Sequence, residues 1–182
     1  MARTDSKRRS RAPVFWRGEV LGLRAVTAAD AALITSKDPF NDFGAIDSDR
    51  TGMSPNNDAI VFRLEDDAPV GSVSWRLVRY GPNLESRGWN IGIEIAPEQR
   101  GRGYGSQAQR ILAEYLFEVS AANRVEASTD ITNVAEQRAL EKAGYTREGV
   151  LRGAQFRQGE WHDLVVYAIL RSDTERDQTS QR

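Results

Sequence analysis

The chain has 182 residues, 40% of them apolar and 28% charged, with a formal net charge of -1; that is enough for one domain with a sizeable core and too little for a dehydrogenase with a separate catalytic domain. With no cysteine and a single histidine, disulfides, thiolate metal sites and a cysteine nucleophile are excluded, and no metal constellation is expected. The balanced charge gives no global argument for nucleic acid, and the longest apolar run, Leu164 to Leu170, has the length of a buried strand rather than a membrane span, so a cytoplasmic protein with no membrane partner is expected.

Residues 1–12 carry Arg3, Lys7, Arg8, Arg9 and Arg11 against Asp5 without periodicity. That predicts a disordered basic arm, a solvated tail rather than a nucleic-acid contact. Val14 to Ala25 reads as a short hairpin or first strand, and Thr27 as the cap of a helix from Ala28 to Ser36. From Lys37 to Asp58 the pattern breaks, with Asp38, Asp42, Asp47, Asp49 and Asp58 among prolines and glycines. This reads as a loop, solvated or forming an acidic lip.

Ala59 to Leu64 and Val70 to Tyr80 are β-branched and aromatic, hence strands. Gly88 to Ala96 is the next strand, with Ile91, Ile93 and Ile95 on one face and Asn90, Gly92, Glu94 and Ala96 on the other. Ser106 to Ser120 has helical apolar spacing, Arg124 to Asp130 alternates as a strand, and Asn133 opens a helix that Gly144 stops after Ala143. Tyr145 to Gln158 and Trp161 to Leu170 are the last strands. One domain over residues 13–171 and a flexible tail over 172–182 are expected.

Between the third central strand and the long helix lies Gln99-Arg-Gly-Arg-Gly-Tyr-Gly-Ser106. Glycines at 101, 103 and 105 permit positive φ and close approach of a ligand, and Arg100 and Arg102 add charge beside a helix N-terminus. A phosphate or pyrophosphate is the expected guest. The loop lacks the Gly-Lys-Ser/Thr of a Walker loop, and it lies mid-chain after a strand ended by Pro97, which argues against the dinucleotide fingerprint.

Arg100-x-x-Gly103-x-Gly105 after Ala96-Pro97-Glu98, followed in order by Asn133 to Gly144-Tyr145, Arg147-Glu148-Gly149 and Trp161-His-Asp163 to Tyr167, resembles the GNAT family of N-acetyltransferases. The resemblance runs from about Val14 to Leu170 and is to the RimJ/RimL-like branch of ribosomal-protein N-terminal acetyltransferases. It implies an α/β (α+β mixed sheet) fold, mostly antiparallel, with a central splayed parallel strand pair and flanking helices. It also implies acetyl-CoA as co-substrate, with the pyrophosphate on Arg100, Gly101, Arg102, Gly103, Tyr104, Gly105 and Ser106. The pantetheine arm would lie on the strand backbone at Ile93 and Ile95, and Asn133 would face cofactor or acceptor.

The implied reaction is direct acetyl transfer to a primary amine, of a protein N-terminus or a small molecule. The alternative is a non-catalytic acyl-CoA binding or regulatory protein, and the resemblance leaves a homodimer open.

Glu94, a carboxylate inside an apolar strand, is a candidate base or water-holder, or else a solvent-facing glutamate. Where many relatives carry a tyrosine, seven residues after Asn133, this chain has Leu140. Where the RimL-like branch tends to have a serine, it has Glu136. Asn133-x-x-Glu136 reads as a capping box in preference to a catalytic carboxyl. Asp163 either organises the site or ties a turn, and His162 is expected in surface or interface packing.

Overall fold

The computed structural model describes residues 12–30, 40, 43 and 57–174. Eight strands form one sheet: β1 (Val14–Arg17), β2 (Leu21–Arg24), β3 (Asn57–Arg63), β4 (Pro69–Arg79), β5 (Arg87–Ile95), β6 (Arg124–Asp130), β7 (Thr146–Arg157) and β8 (Glu160–Leu170). Among the described residues two α-helices cross it, α1 (Tyr104–Val119) and α2 (Val134–Lys142). The spatial order is β1-β2-β3-β4-β5-β6-β8-β7.

Consecutive strands joined by short turns pair antiparallel, because a tight turn reverses the chain. The exception is β5 with β6, which are parallel and joined through α1, as a crossover connection requires. Their pairing is brief: Trp89, Asn90 and Ile91 face Val125, Glu126 and Ala127, and the ladder then ends. Beyond Ile91 and Ala127 the two strands diverge while each keeps its outer neighbour, β4 at Ser72 to Gly71 and β8 at Val166 to Leu164. The expected mixed sheet with a splayed parallel pair is present.

The core lies between the sheet and α1. Ala108, Ile111, Leu112, Leu116 and Phe117 are buried there with Leu23, Val61, Val73, Ile91 and Val125. The spacing of the helical set is the 3.6-residue period that puts one stripe against the sheet, and each large side chain withdrawn from water contributes about 1.5–3 kcal/mol. Phe15, tilted, and Trp16 and Trp75, edge-on, pack around Tyr115 with ring centres 5.0–5.9 Å from its own, so the β1–β2 hairpin closes over the helix.

At Thr27 the capping runs opposite to expectation. Its amide and hydroxyl both donate to Asp30 Oδ2, at 2.8 and 2.7 Å, and Arg24 clasps the same carboxylate with two bonds of 2.8 Å. Residues 28–30 form a single 3-10 turn; the rest of the helix expected to Ser36 and most of the acidic stretch to Asp58 lie outside the described residues, as does the basic arm except for Ala12. After β8, Leu170 N donates to Asp173 Oδ2 at 3.0 Å, so the chain stays tied for a turn past Arg171. No helix among the described residues is long and apolar enough to cross a membrane.

Candidate active site

Where β5 and β6 part, a cleft of about 750 Å³ opens toward the N-terminus of α1, a size suited to a small-molecule ligand. It is lined by the diverging ends of β5 and β6, the Gln99–Ser106 loop, the first turns of both helices, and Ser72 and Ser74 of β4. All of the candidate residues fall in one region. Ile93, Glu94, Ile95, Arg100, Gly101, Gly103, Tyr104, Gly105, Ser106, Asn133 and Glu136 line this cleft; Arg102 belongs to the same loop.

The loop's shape comes from two glycines. Gly101 and Gly103 have φ of 75° and 78°, a region that costs an L-residue about 1–2 kcal/mol. Gly105, expected to share that role, does not: it is already inside α1, and a Cβ there would touch Ala139 and Ile95 at 3.7 and 3.9 Å, ordinary contacts. Gly103 caps α1 in the left-handed conformation, and the first backbone bond of the helix is Gln107 N to Gly103 O, 3.3 Å. The amides of Tyr104, Gly105 and Ser106 therefore have no acceptor within the helix. They present the positive end of its dipole to the cleft.

The side chains brace this geometry. Arg100 Nε donates to Ile95 O at 2.9 Å, fastening the loop to the end of β5, and Ser106 Oγ donates to Gly103 O at 2.9 Å. Arg63 is held above its ordinary pKa by Asp66 and then by the Tyr104 side chain, which places a further cation beside the loop. On β5, Ala96 N donates to Val70 O of β4. Since backbone groups alternate along a strand, those of Ile93 and Ile95 turn the other way, into the gap. Glu94 lies in the row of Ser72 and Ile60, and Asp58 in the row of Ser74 and Gly92. The cleft thus has Arg100, Arg138 and Lys142 toward the helices and Asp58 and Glu94 on the sheet face.

Asn133 accepts from Glu136 N at 3.2 Å, so one half of the capping box is formed. The other half is not. Asn133 N donates to Asp130 O, and the Glu136 carboxyl instead accepts from Nε2 of Gln109 on α1. Burial lifts the Glu136 carboxyl to about 7, against the opposing pull of that hydrogen bond. Leu140 is fully buried in the core.

Two groups near the site carried no expectation from the sequence. Gln109 is a polar residue in the apolar stripe of α1, three and seven residues before Leu112 and Leu116, and that position was the legible signal. Tyr145, following the helix stop, is buried and its hydroxyl has no partner among the described residues.

At the far wall, Asp130 binds the Arg157 guanidinium, accepts from the amide and hydroxyl of Thr132 at 2.7 and 2.5 Å, and lies 3.0 Å from His162 Nδ1. Burial alone would raise its pKa, but Thr132, Arg157 and His162 together hold the carboxyl below the usual range. His162 is therefore not confined to surface packing; it ties β8 to the end of β6. Asp163 accepts from Gly153 N at 2.7 Å across the bulge between Leu151 and Gln155, which is the turn-tying alternative. Among the described residues no cluster of three histidines or carboxylates could hold a metal.

Comparison with known proteins places this geometry in a family. The Bacillus subtilis (strain 168) protein named "Probable N-acetyltransferase YjcK" is 32% identical over 117 residues, 64% of this chain and 62% of YjcK; the chain thus spans about three fifths of that relative. Among solved structures, Mycobacterium smegmatis RimJ in complex with CoA-disulfide superposes with a TM-score of 0.69 over 94% of each chain at 19% identity. Spermidine N-acetyltransferase from Vibrio cholerae in complex with CoA and spermine gives 0.64 over 84% of this chain and 96% of that one at 20% identity. These two likenesses are of fold. The model of the acetyltransferase (GNAT) domain matches residues 21–146, well over half the chain, and the chain belongs to the GNAT acetyltransferase family.

Proposed function

We propose that the protein is an acetyl-CoA dependent N-acetyltransferase that passes the acetyl group directly to a primary amine. The observation that carries this reading is the divergence of β5 from β6 immediately in front of the N-terminus of α1. An opened strand edge offers hydrogen bonds to an amide-bearing arm, and unpaired helix amides offer them to a pyrophosphate. The RimJ and spermidine acetyltransferase structures, each solved with a CoA species, support the same ligand. In this reading Gly101 to Ser106 and Arg100 hold the pyrophosphate, and the backbone of Ile93 and Ile95 takes the pantetheine arm. Glu94 holds the attacking amine or its water. Asn133 orients the acyl end.

The chain's main contribution to rate is then proximity and orientation of two bound reactants. The amine must be neutral to attack, which at pH 7 costs about 1 kcal/mol for an α-amine and about 4.6 kcal/mol for a lysine. Asp58 and Glu94 on the sheet face favour a cationic acceptor, either a protein N-terminus or a small amine. A cytoplasmic site of action belongs to the same proposal.

A second reading, acyl-CoA binding without turnover, draws on Leu140 being a buried aliphatic where a hydroxyl would serve as acid. Thiol release from acetyl-CoA, measured with and without N-terminal peptides, lysine peptides, polyamines and aminoglycosides, separates the two. Release that depends on one amine class supports transfer. Binding of acetyl-CoA with no amine-dependent release supports the second reading.

A further inference from the structure

Buried Gln109, half-buried Glu136 and buried Tyr145 lie together between α1, α2 and the residue that leads into β7, and Gln109 and Glu136 line the cleft. Gln109 is completely buried; its Nε2 donates to Glu136, while its Oε1 has no donor among the described residues. The Tyr145 hydroxyl is likewise buried and unpartnered, and its ionisation is suppressed first by burial and then by Glu136. Buried polar atoms in folded proteins are nearly all paired, so each such orphan calls for an explanation.

A protonated Glu136 supplies one. A carboxylic acid and a primary amide bind reciprocally, the amide N–H to the acid carbonyl and the acid O–H to the amide carbonyl, and an ionised carboxylate has no proton to give to Gln109 Oε1. The bond from Nε2 alone favours the carboxylate; the orphan Oε1 and the burial favour the acid. Around the carboxyl, α1 presents the uncharged Gln109 and the entry to β7 presents Tyr145. At the end of β6, Asp130 is held by Arg157, His162 and Thr132. On its own helix Arg138 and Lys142 line the cleft.

We propose that Glu136 is stored as a neutral acid by reciprocal pairing with Gln109 and gives its proton to the sulfur as the thioester C–S bond breaks. This rests on the acetyl-transfer reading above. The bonds balance. The amine nitrogen joins the acetyl carbon and sheds one proton to Glu94 or its water, and the C–S electron pair goes to sulfur. The Glu136 proton joins that pair, and the carboxylate left behind regains a proton from solvent before the next turnover. Glu136 is the catalytic residue; Gln109, acting through it, is a positioning residue.

The test is a side-chain carboxyl 13C titration of Glu136, assigned by its loss in Glu136→Gln, with and without CoA. It is run beside the pH dependence of amine-dependent thiol release for the wild type, Glu136→Gln and Gln109→Leu, at a fixed concentration of the neutral amine so that the amine's own titration does not shape the profile. Glu136 should be neutral at pH 6 and titrate near neutrality, with the wild-type rate falling as it ionises. Glu136→Gln should be about 100-fold or more slower at pH 6.5 and lose that fall. Gln109→Leu should move the titration and the falling limb together, which a purely structural glutamine would not do.

A Glu136 carboxyl already ionised at pH 6, or a Glu136→Gln protein that keeps both rate and falling limb, overturns the proposal. If Glu136→Gln does not fold, the wild type decides alone, since its falling limb must coincide with the Glu136 titration. Bound CoA with no amine-dependent release, while Glu136 still titrates near neutrality, overturns the transfer reading and the proton-donor role with it. A release-competent enzyme with an ionised Glu136 overturns only the latter.

Discussion

Glu136 sets a pH dependence of stability whose sign follows from its environment. Burial raises its carboxyl to about 7 in the folded protein, so the native state binds more protons than the unfolded chain between the ordinary carboxylate range and pH 7. Its contribution is complete at low pH and is lost as pH rises through about 7. Thermal unfolding of Glu136→Gln should therefore match the wild type near pH 5 and exceed it near pH 8; a difference that does not change with pH would contradict the assignment. Asp130 behaves oppositely. Its carboxyl is held low, so its contribution is present above the ordinary carboxylate range and fades in acid. Arg157→Met would leave that carboxylate buried without its guanidinium and should cost about 3–5 kcal/mol, read as a fall in denaturant midpoint. Neither pair was legible beforehand, because partners 27 residues apart meet only through tertiary packing.

At the scale of the elements, the strands and the two α-helices α1 and α2 were readable to within about two residues, since each obeys a clean period of 2 or 3.6. Arg124–Asp130 coincides with β6, and α1 begins two residues before the expected Ser106. The loop was readable as a glycine-rich turn ahead of a helix N-terminus, but not in which glycine does what: composition shows three, and only the backbone shows that Gly101 and Gly103 need positive φ while Gly105 is helical. Gly103→Ala should lower stability by about 1–2 kcal/mol. Gly105→Ala should be neutral or gain up to about 1 kcal/mol from helix propensity. Comparing the two unfolding midpoints checks this, and equal losses would contradict it. The capping at Thr27 and at Asn133 was half legible, because residue types name the cap but not which partner a longer carboxylate prefers.

The whole molecule joins two independent requirements at one place. A parallel pair inserted in an otherwise antiparallel sheet must be connected by a crossover helix, and its short ladder lets the strands part just where that helix begins. The sequence shows the strands and the helix separately; the divergence is a property of their pairing. The cleft is polarised, with Arg100, Arg138 and Lys142 toward the helices and Asp58 and Glu94 on the sheet face, which agrees with the proposal of an anionic donor and a cationic acceptor approaching from different sides. The most direct test is a backbone amide NMR titration with CoA. Shifts should concentrate at Gly101 to Ser106 and at Ile93 and Ile95, and leave the β7–β8 turn at Gln158 and Gly159 undisturbed. CoA binding that bypasses the loop and the opened edge of β5, or no binding at all, would contradict the account.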